Sequence, residues 1–266
     1  MLDGLLRAAL IGLAVIAALA VLTWLVSLAR RDVSVVDSLW SIFITTGGVV
    51  YAATLPWANA RPLLMLALAV VWALRLSIYI TWRNHGHGED RRYQQIRARN
   101  QPRFALKSLA YVFALQAVLA WIVSMPTLAA LAGERPFGAL DIVGIVVALV
   151  GFLFEAIGDA QMAAFKADPA HQGQVMDRGL WRYTRHPNYF GECCAWWGLF
   201  LIAAAGSPLG IASIVSPLLM TVLLLKVSGV ALLERDIGER RPAYRDYVAR
   251  TNAFFPGPPR ARRARE

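Results

Sequence analysis

Arg178-Gly-Leu-Trp-Arg-Tyr-Thr-Arg-His-Pro-Asn-Tyr-Phe-Gly-Glu192 is polar, aromatic and basic, and it lies between two long apolar segments. His186-Pro187 predicts a stop, because proline disfavours helix in the residue before it and brings no N–H of its own. Asn188 is then suited to cap a helix entering the next apolar run. Arg182, Tyr183, Arg185, His186, Asn188, Tyr189 and Glu192 therefore gather at one edge of an apolar layer. A positively charged loop with interfacial aromatics is the plainer reading of such a belt. A fixed turn joined to so many hydrogen-bonding groups favours a small-molecule site.

Outward from this stretch the chain is apolar in long runs. Of its 266 residues 58% are hydrophobic and 17% charged, more apolar sequence than a soluble core of this length requires. Seven segments, at about 4–29, 34–55, 62–82, 105–131, 139–165, 189–205 and 208–233, approach or exceed the roughly 20 residues that cross a bilayer as helix. Period-two alternation of a membrane barrel is absent. The expectation is an all-α polytopic membrane protein, one seven-helix domain over residues 1–266, with Gly206-Ser207-Pro208 making the last two spans a tight hairpin. The first segment is too long for a signal-peptide core and is read as a retained helix. Residues 257–266, rich in proline and arginine, read as a disordered basic tail suited to anionic lipid.

The net charge of +10 raises the question of nucleic acid, and its distribution gives another answer. With loops on alternating sides, one side holds Arg30-Arg31, the loop 83–107, the loop 166–188 and the tail from Arg235. These carry two, seven, four and nine lysines and arginines, 22 of the chain's 27. Arg7, Arg61 and Arg135 fall on the other side, and Arg75 and Lys226 inside helices. The asymmetry predicts an outside N-terminus and a cytoplasmic C-terminus, and no nucleic-acid partner. Cys193 and Cys194 are adjacent at the start of an apolar run and frame neither a disulfide scaffold nor a zinc site. His85, His87 and Glu89 lack the apolar shell of a metal site, and none is expected.

Ionisable groups within a bilayer cost about 2.5–3.5 kcal/mol each on lenient scales, so each needs a reason. Asp37, in Val-Val-Asp-Ser-Leu-Trp40, is either a carboxylate favoured by the start of the second helix or part of a site. Arg75 lies near the middle of the third helix with Trp72 and Tyr79 on its face, and pairing with Asp37 would neutralise it. Glu155 and Asp159 share a face of the fifth helix, with Lys166 two turns on, a polar stripe that suggests a buried groove. The loop carrying Gly88-Glu-Asp-Arg-Arg-Tyr93 reads as a solvated amphipathic segment, or as a cover offering Arg91 and Arg92 to phosphate. There is no Rossmann glycine fingerprint, no P-loop and no nucleophile elbow.

Together these residues resemble the steroid 5-alpha-reductase-like membrane proteins, in particular the bacterial branch known as the DUF1295 family. The likeness covers most of the chain. It is strongest from Asp159 through Arg-Tyr-Thr-Arg-His-Pro-Asn-Tyr-Phe-Gly-Glu192 and again from Leu-Leu-Glu234 to Phe-Phe-Pro256, with Gly88–Tyr93 also similar. The resemblance implies seven transmembrane helices in a bacterial inner membrane, and NADPH in a cytoplasm-facing cavity of the half at about 139–256. It implies a steroid-like or other lipid enone entering from the membrane. The family's cofactor contacts fall on Asp159, Asn188 and Glu192; a phosphate-binding arginine falls on Lys166, and an asparagine on Glu155. Tail contacts are replaced near Leu232 and Asp236. Of the family's catalytic pair, a glutamate on the second helix and a tyrosine on the third, the second helix offers Asp37. The tyrosine position aligns with Trp72, and Tyr79 lies two turns on.

The expected reaction is NADPH-dependent reduction of a double bond conjugated to a carbonyl. Charge developing on the carbonyl oxygen requires a donor, assigned to Tyr79 with Asp37 and Arg75 in support. Isoprenylcysteine and phospholipid methyltransferases, which bind S-adenosylmethionine, share an Arg-His-Pro-x-Tyr turn, here Arg185–Tyr189, and a tail like Glu234 with Tyr244 and Tyr247. Arg91, Arg92, Lys166, Arg182 and Arg185 favour the phosphate-rich cofactor. A lipid-binding module without catalysis is the third reading, kept alive by the altered catalytic pair.

Overall fold

A computed structural model of the chain describes residues 2–227, 229–234, 237 and 242–260. The helices in chain order are α1 (Leu2–Arg30), α2 (Val35–Thr54), α3 (Arg61–Asn84), the short α4 (Arg91–Arg99), α5 (Phe104–Leu131), α6 (Ala139–Ala167), α7 (Pro187–Gly206), α8 (Pro208–Val227), and the short α9 (Val230–Glu234) and α10 (Ala243–Arg250). No strand occurs among the described residues. All but α4, α9 and α10 are long and apolar enough to cross a membrane. Large apolar side chains such as Leu22, Val71, Ile78, Ile142 and Leu153 lie exposed on them, which water would penalise and lipid does not. The chain is an all-helical integral membrane protein with seven candidate spans.

Boundaries differ from expectation by a residue or two, with two informative exceptions. The last span closes at Val227 in a π turn, Leu223–Val227, and Val230–Glu234 is a separate short helix. Helix α7 begins at Pro187, and the Phe190 N–H donates to the His186 carbonyl at 3.0 Å. Proline takes the first helical position, where its missing N–H costs nothing. Asn188 is therefore inside the helix rather than its cap.

The contacts divide the chain into two compact units, Met1–Asp141 with Phe200–Ser216, and Ile142–Leu199 with Pro217–Glu266. In the first, α1 buries a stripe in which the small residues Ala8, Gly12 and Ala20 flank Ile16. A Cβ at Gly12 would fall 2.4 Å from Tyr51 Cε1, so α2 lies close against α1 there. The Tyr51 hydroxyl meets Ser124 Oγ at 2.9 Å, and Trp121 Nε1 donates to the Ala9 carbonyl at 2.9 Å, which ties α5 to both. Ser41 Oγ donates to the Ala73 carbonyl of α3 at 2.9 Å. These bonds satisfy polar groups where lipid offers no partner.

Arg61 is wholly buried. Its Nε and Nη2 grip the Asp141 carboxylate at 2.7 and 3.1 Å, and Nη1 and Nη2 donate to the Arg135 and Pro136 carbonyls at 3.0 and 3.2 Å. Asp141 also accepts from the Gly138 N–H at 2.9 Å. Arg61, counted from the sequence among the few loop cations of the outer side, is thus an internal clasp.

In the second unit α6 and α7 approach to backbone contact. A Cβ at Gly151 would lie 2.4 Å from Ala195 N, one at Gly191 2.4 Å from Glu155 N, and one at Gly198 2.4 Å from Ala148 N. Small residues at three- and four-residue spacing allow this, as membrane helices without a hydrophobic drive between them require.

Candidate functional site

The turn 178–186 is fixed onto α6 before α7 begins. Gly179 adopts φ +56°, a conformation natural to glycine, and a Cβ there would run into the Gln161 amide. Gln161 Oε1 accepts from the Leu180 N–H at 3.0 Å, and Trp181 Nε1 donates to the Gly158 carbonyl at 3.0 Å. The C-terminal segment closes over it: Thr184 Oγ1 donates to the Phe254 carbonyl at 2.8 Å, and the Tyr247 hydroxyl to the Trp181 carbonyl.

At the centre of this turn Arg185 meets Glu234 through two bonds, Nε at 2.6 Å and Nη2 at 2.7 Å. Its Nη1 donates to the Val248 and Thr251 carbonyls at 3.3 and 2.5 Å. His186 Nε2 lies 3.0 Å from Glu234 Oε1, and its ring stacks on Tyr189 at 5.4 Å. The Tyr244 hydroxyl donates to the same oxygen at 3.4 Å. Burial alone would raise the Glu234 pKa; the bonds and charges of His186 and Arg185 outweigh it and hold the carboxyl down at about 2. Burial opposes the Arg185 charge, and Glu234 more than restores it. Burial and the charge of Glu234 push the Tyr244 phenol up.

Arg185, expected at phosphate, thus has a protein acceptor on every guanidinium nitrogen. Glu155 and Asp159 of α6 are 1% and 5% exposed, and Glu192 of α7 is 7% exposed. Lys166, at the other end of the expected polar stripe, is exposed, as are Arg182 and Tyr183. Asn188 Nδ2 donates to Asp159 Oδ1 at 3.2 Å, and Asn188 Oδ1 is buried with no hydrogen-bond partner. Facing helices in this unit therefore gather three buried carboxyl groups, one amide and one open acceptor. Asp236 lies outside the described residues. Of the stretch read as a disordered tail, the Gly257 N–H donates to the Tyr183 carbonyl at 3.0 Å, and the Arg260 N–H to the Arg250 carbonyl at 2.8 Å. Residues 261–266 lie outside the described set.

The first unit holds a second polar cluster, around Asp37. Tyr93 donates to Asp37 Oδ1 at 2.6 Å and Arg92 Nη2 to Oδ2 at 2.7 Å. Asp90 caps α4 through the Arg92 N–H at 2.8 Å and takes Arg92 Nε at 3.0 Å. Glu89 accepts from Arg97 through two bonds and from the Val33 N–H at 3.0 Å. Gly88–Tyr93 is thus a bracket on the start of α2 rather than a solvated segment. Burial first, then the Asp37 carboxylate, pushes the Tyr93 phenol well above its ordinary value. Arg97 holds Glu89 below its ordinary pKa against the effect of burial.

Arg92, expected at phosphate, is held by Asp37 and Asp90, and Arg91 is exposed. Tyr79 packs against Trp82 at 6.2 Å between centroids, with the Arg83 guanidinium 5.8 Å from its ring; Trp72 is buried. Tyr93 was the member missed by sequence reading, because its partner is 56 residues away. The only cue was its place in the Gly-Glu-Asp-Arg-Arg-Tyr run.

Fold and clusters define a polytopic helical membrane protein with buried polar groups in each unit. The chain belongs to the family described as "Protein of unknown function (DUF1295)", whose model matches residues 23–251. It is 28% identical over 261 residues to an uncharacterized protein of Schizosaccharomyces pombe, the match covering 88% of this chain and 75% of that one. No solved structure shows significant similarity to it.

Proposed function

We propose that this protein is a membrane-embedded, NADPH-dependent reductase of a carbon–carbon double bond conjugated to a carbonyl in a steroid-like or other lipid. The carrying observation is the set of buried carboxyls Glu155, Asp159 and Glu192 with the half-buried Asn188, whose Oδ1 is a buried acceptor without a donor. Carboxylates and an amide oxygen accept from ribose hydroxyls and a carboxamide, and a buried acceptor without a donor is costly. When bound, the nicotinamide supplies the hydride. Glu155, Asp159, Asn188 and Glu192 would hold the sugar and amide groups, and the exposed Lys166 and Arg182 of the same unit are the candidates for phosphate. The chain must also set a donor against the carbonyl oxygen as charge develops there. Tyr79, supported by Asp37 and Arg75 with Trp72 alongside, is the residue read for that role. From the charge asymmetry we place the N-terminus outside and the cofactor residues toward the cytoplasm.

One observation favours a second reading. Arg92 and Arg185, two of the five cations that argued for phosphate, are matched to carboxylates. An acceptor-rich site with few free cations also suits S-adenosylmethionine, whose sulfonium and amino groups are positive, and hence methyl transfer to a lipid. Thermal shift of the purified protein with NADPH, NADH and S-adenosylmethionine separates the two. A ligand at a hundredfold excess over its dissociation constant stabilises by about 2.7 kcal/mol. A shift with NADPH that Asn188→Ala and Glu192→Ala abolish supports the reductase. A shift with S-adenosylmethionine alone replaces it, and no shift with any leaves a lipid-binding module.

A further inference from the structure

The segment after α10 lies against the turn 178–185 as a strap. The Arg185 N–H donates to the Asn252 carbonyl at 2.9 Å, Thr184 Oγ1 to the Phe254 carbonyl at 2.8 Å, and the Gly257 N–H to the Tyr183 carbonyl at 3.0 Å. Its last bond runs from the Arg260 N–H to the Arg250 carbonyl at 2.8 Å. Held through its backbone, the strap turns Phe254 inward and Phe255 outward, the first 6% exposed and the second 71%. Both rings meet Phe190, at 5.8 and 6.2 Å between centroids, and Phe190 stands in the first turn of the spanning helix α7. Phe255 is therefore level with the start of a span, and Tyr183, on the turn beneath the strap, is 46% exposed. Water penalises such rings, and the boundary of a bilayer takes them.

The same surface is basic. Arg178, in the turn, and Arg260, in the strap, are exposed. Asp177 is taken by Arg250, and Glu234 by Arg185 and His186. Among the described residues no carboxylate pairs with Arg178 or Arg260, and Arg260 Nη2 reaches only the neutral Asn252 amide, at 3.4 Å. Arg250 links the two, its guanidinium on Asp177 and its carbonyl on the Arg260 N–H, so both cations flank one ion pair. A guanidinium presents a fork of donors that suits phosphate. A soluble anion would satisfy the cations and leave the rings in water, whereas an anionic phospholipid meets both.

We propose that the strap, Thr251–Arg260, is a membrane-surface anchor: Phe255 inserts at the acyl boundary of the adjoining leaflet, and Arg178 and Arg260 bind the headgroup of an anionic phospholipid. The lipid contact read for a disordered tail thereby moves to a folded segment and the turn that it covers. Arg182 is left to the cofactor phosphate, and the anchor stands whether or not the protein is a reductase.

The test titrates full-length protein in detergent with dioleoylphosphatidylglycerol and with dioleoylphosphatidylcholine, which share their chains and differ in headgroup charge. The apparent melting temperature gives the affinity. Each arginine at an anionic surface is worth about fivefold, so phosphatidylglycerol should bind about 25-fold tighter. Arg178→Gln with Arg260→Gln should remove most of that preference. Arg30→Gln with Arg99→Gln, the same charge loss from exposed arginines elsewhere, should keep it. Phe255→Ser should weaken both lipids by at least about threefold. Glycerol 3-phosphate, a headgroup without chains, should not stabilise at the same concentrations. Equal binding of the two lipids by the wild type overturns the proposal, as does unchanged binding in Phe255→Ser. An equal loss in the Arg30 and Arg99 pair makes the attraction one of overall charge and overturns it too. So does glycerol 3-phosphate matching the lipid, which makes the partner a soluble phosphate. Should the Arg178 and Arg260 pair fail to fold, Phe255→Ser and glycerol 3-phosphate still decide.

Discussion

Replacing Glu234 by glutamine leaves the shape of the turn and removes the charge opposite Arg185, whose side chain is 8% exposed. Breaking a buried ion pair from one side costs about 3–5 kcal/mol, because the remaining charge is stranded. An independent route uses the carboxyl pKa, held at about 2 against an ordinary 4.5. A group depressed by that much contributes on the order of 3 kcal/mol at neutral pH. The Glu234 side chain is 19% exposed, so the lower end of the first range applies and the two routes agree. For a chain of this size about 3 kcal/mol lowers the melting temperature by roughly 6–12 °C.

The sign with pH follows from the same depression: stability is fully present above about 4.5 and is lost as pH falls toward about 2. Melting of wild type and Glu234→Gln in detergent is compared at pH 7 and through the acid range. The wild type should lose stability below about 4.5 more steeply than the variant, whose curve starts lower and runs flatter. A variant within about 1 kcal/mol of wild type at pH 7, or one with an unchanged acid limb, would refute the assignment of Glu234 as counter-charge to Arg185.

Gly191→Ala places a methyl 2.4 Å from Glu155 N, against backbone that cannot yield cheaply. It should destabilise by about 1–3 kcal/mol and weaken cofactor-induced thermal shift by separating Glu155 from Glu192. Arg61→Met strands the Asp141 carboxylate and should cost about 3–5 kcal/mol, whereas Arg61→Met with Asp141→Leu should recover most of it; purely additive losses would deny the coupling. In the reductase reading, Asp37→Asn and Tyr79→Phe should each lower turnover of an enone lipid by at least about tenfold. Unchanged turnover in both removes these residues from the chemistry.

The seven spans were legible because a bilayer imposes length and apolarity on each segment separately, with no knowledge of its neighbours. Glu155 and Asp159 stood out for the same reason: a carboxylate in an apolar run has few explanations, whereas Glu192 was read with the polar turn that precedes its helix. What could not be read was pairing. Arg61 and Asp141 are 80 residues apart, and Arg185 and Glu234 49 apart. Each arginine had several acidic residues within reach of a plausible fold, and spacing chooses among partners only within one helix. Arg92 was thus assigned to phosphate although Asp37 and Asp90 hold it, and Asp141, at the head of an apolar segment, drew no notice.

The π turn in α5 has a consequence for how its sequence is to be aligned. Buried positions step by four from Phe104 to Ser108, reach both Val112 and Phe113 in the π turn, Leu109–Ala114, and step by four from Phe113 to Ala117. The π turn absorbs one residue more than an α-helical turn holds, so the inward face continues beyond it without rotating. A one-residue gap within 109–114 would revert the turn to α and leave both ends of the helix facing as they do. The same gap elsewhere in α5 would swing everything beyond it by about 100°. Single-residue length changes in this span have one place where they are silent, and an alignment that puts them elsewhere misassigns every inward position downstream.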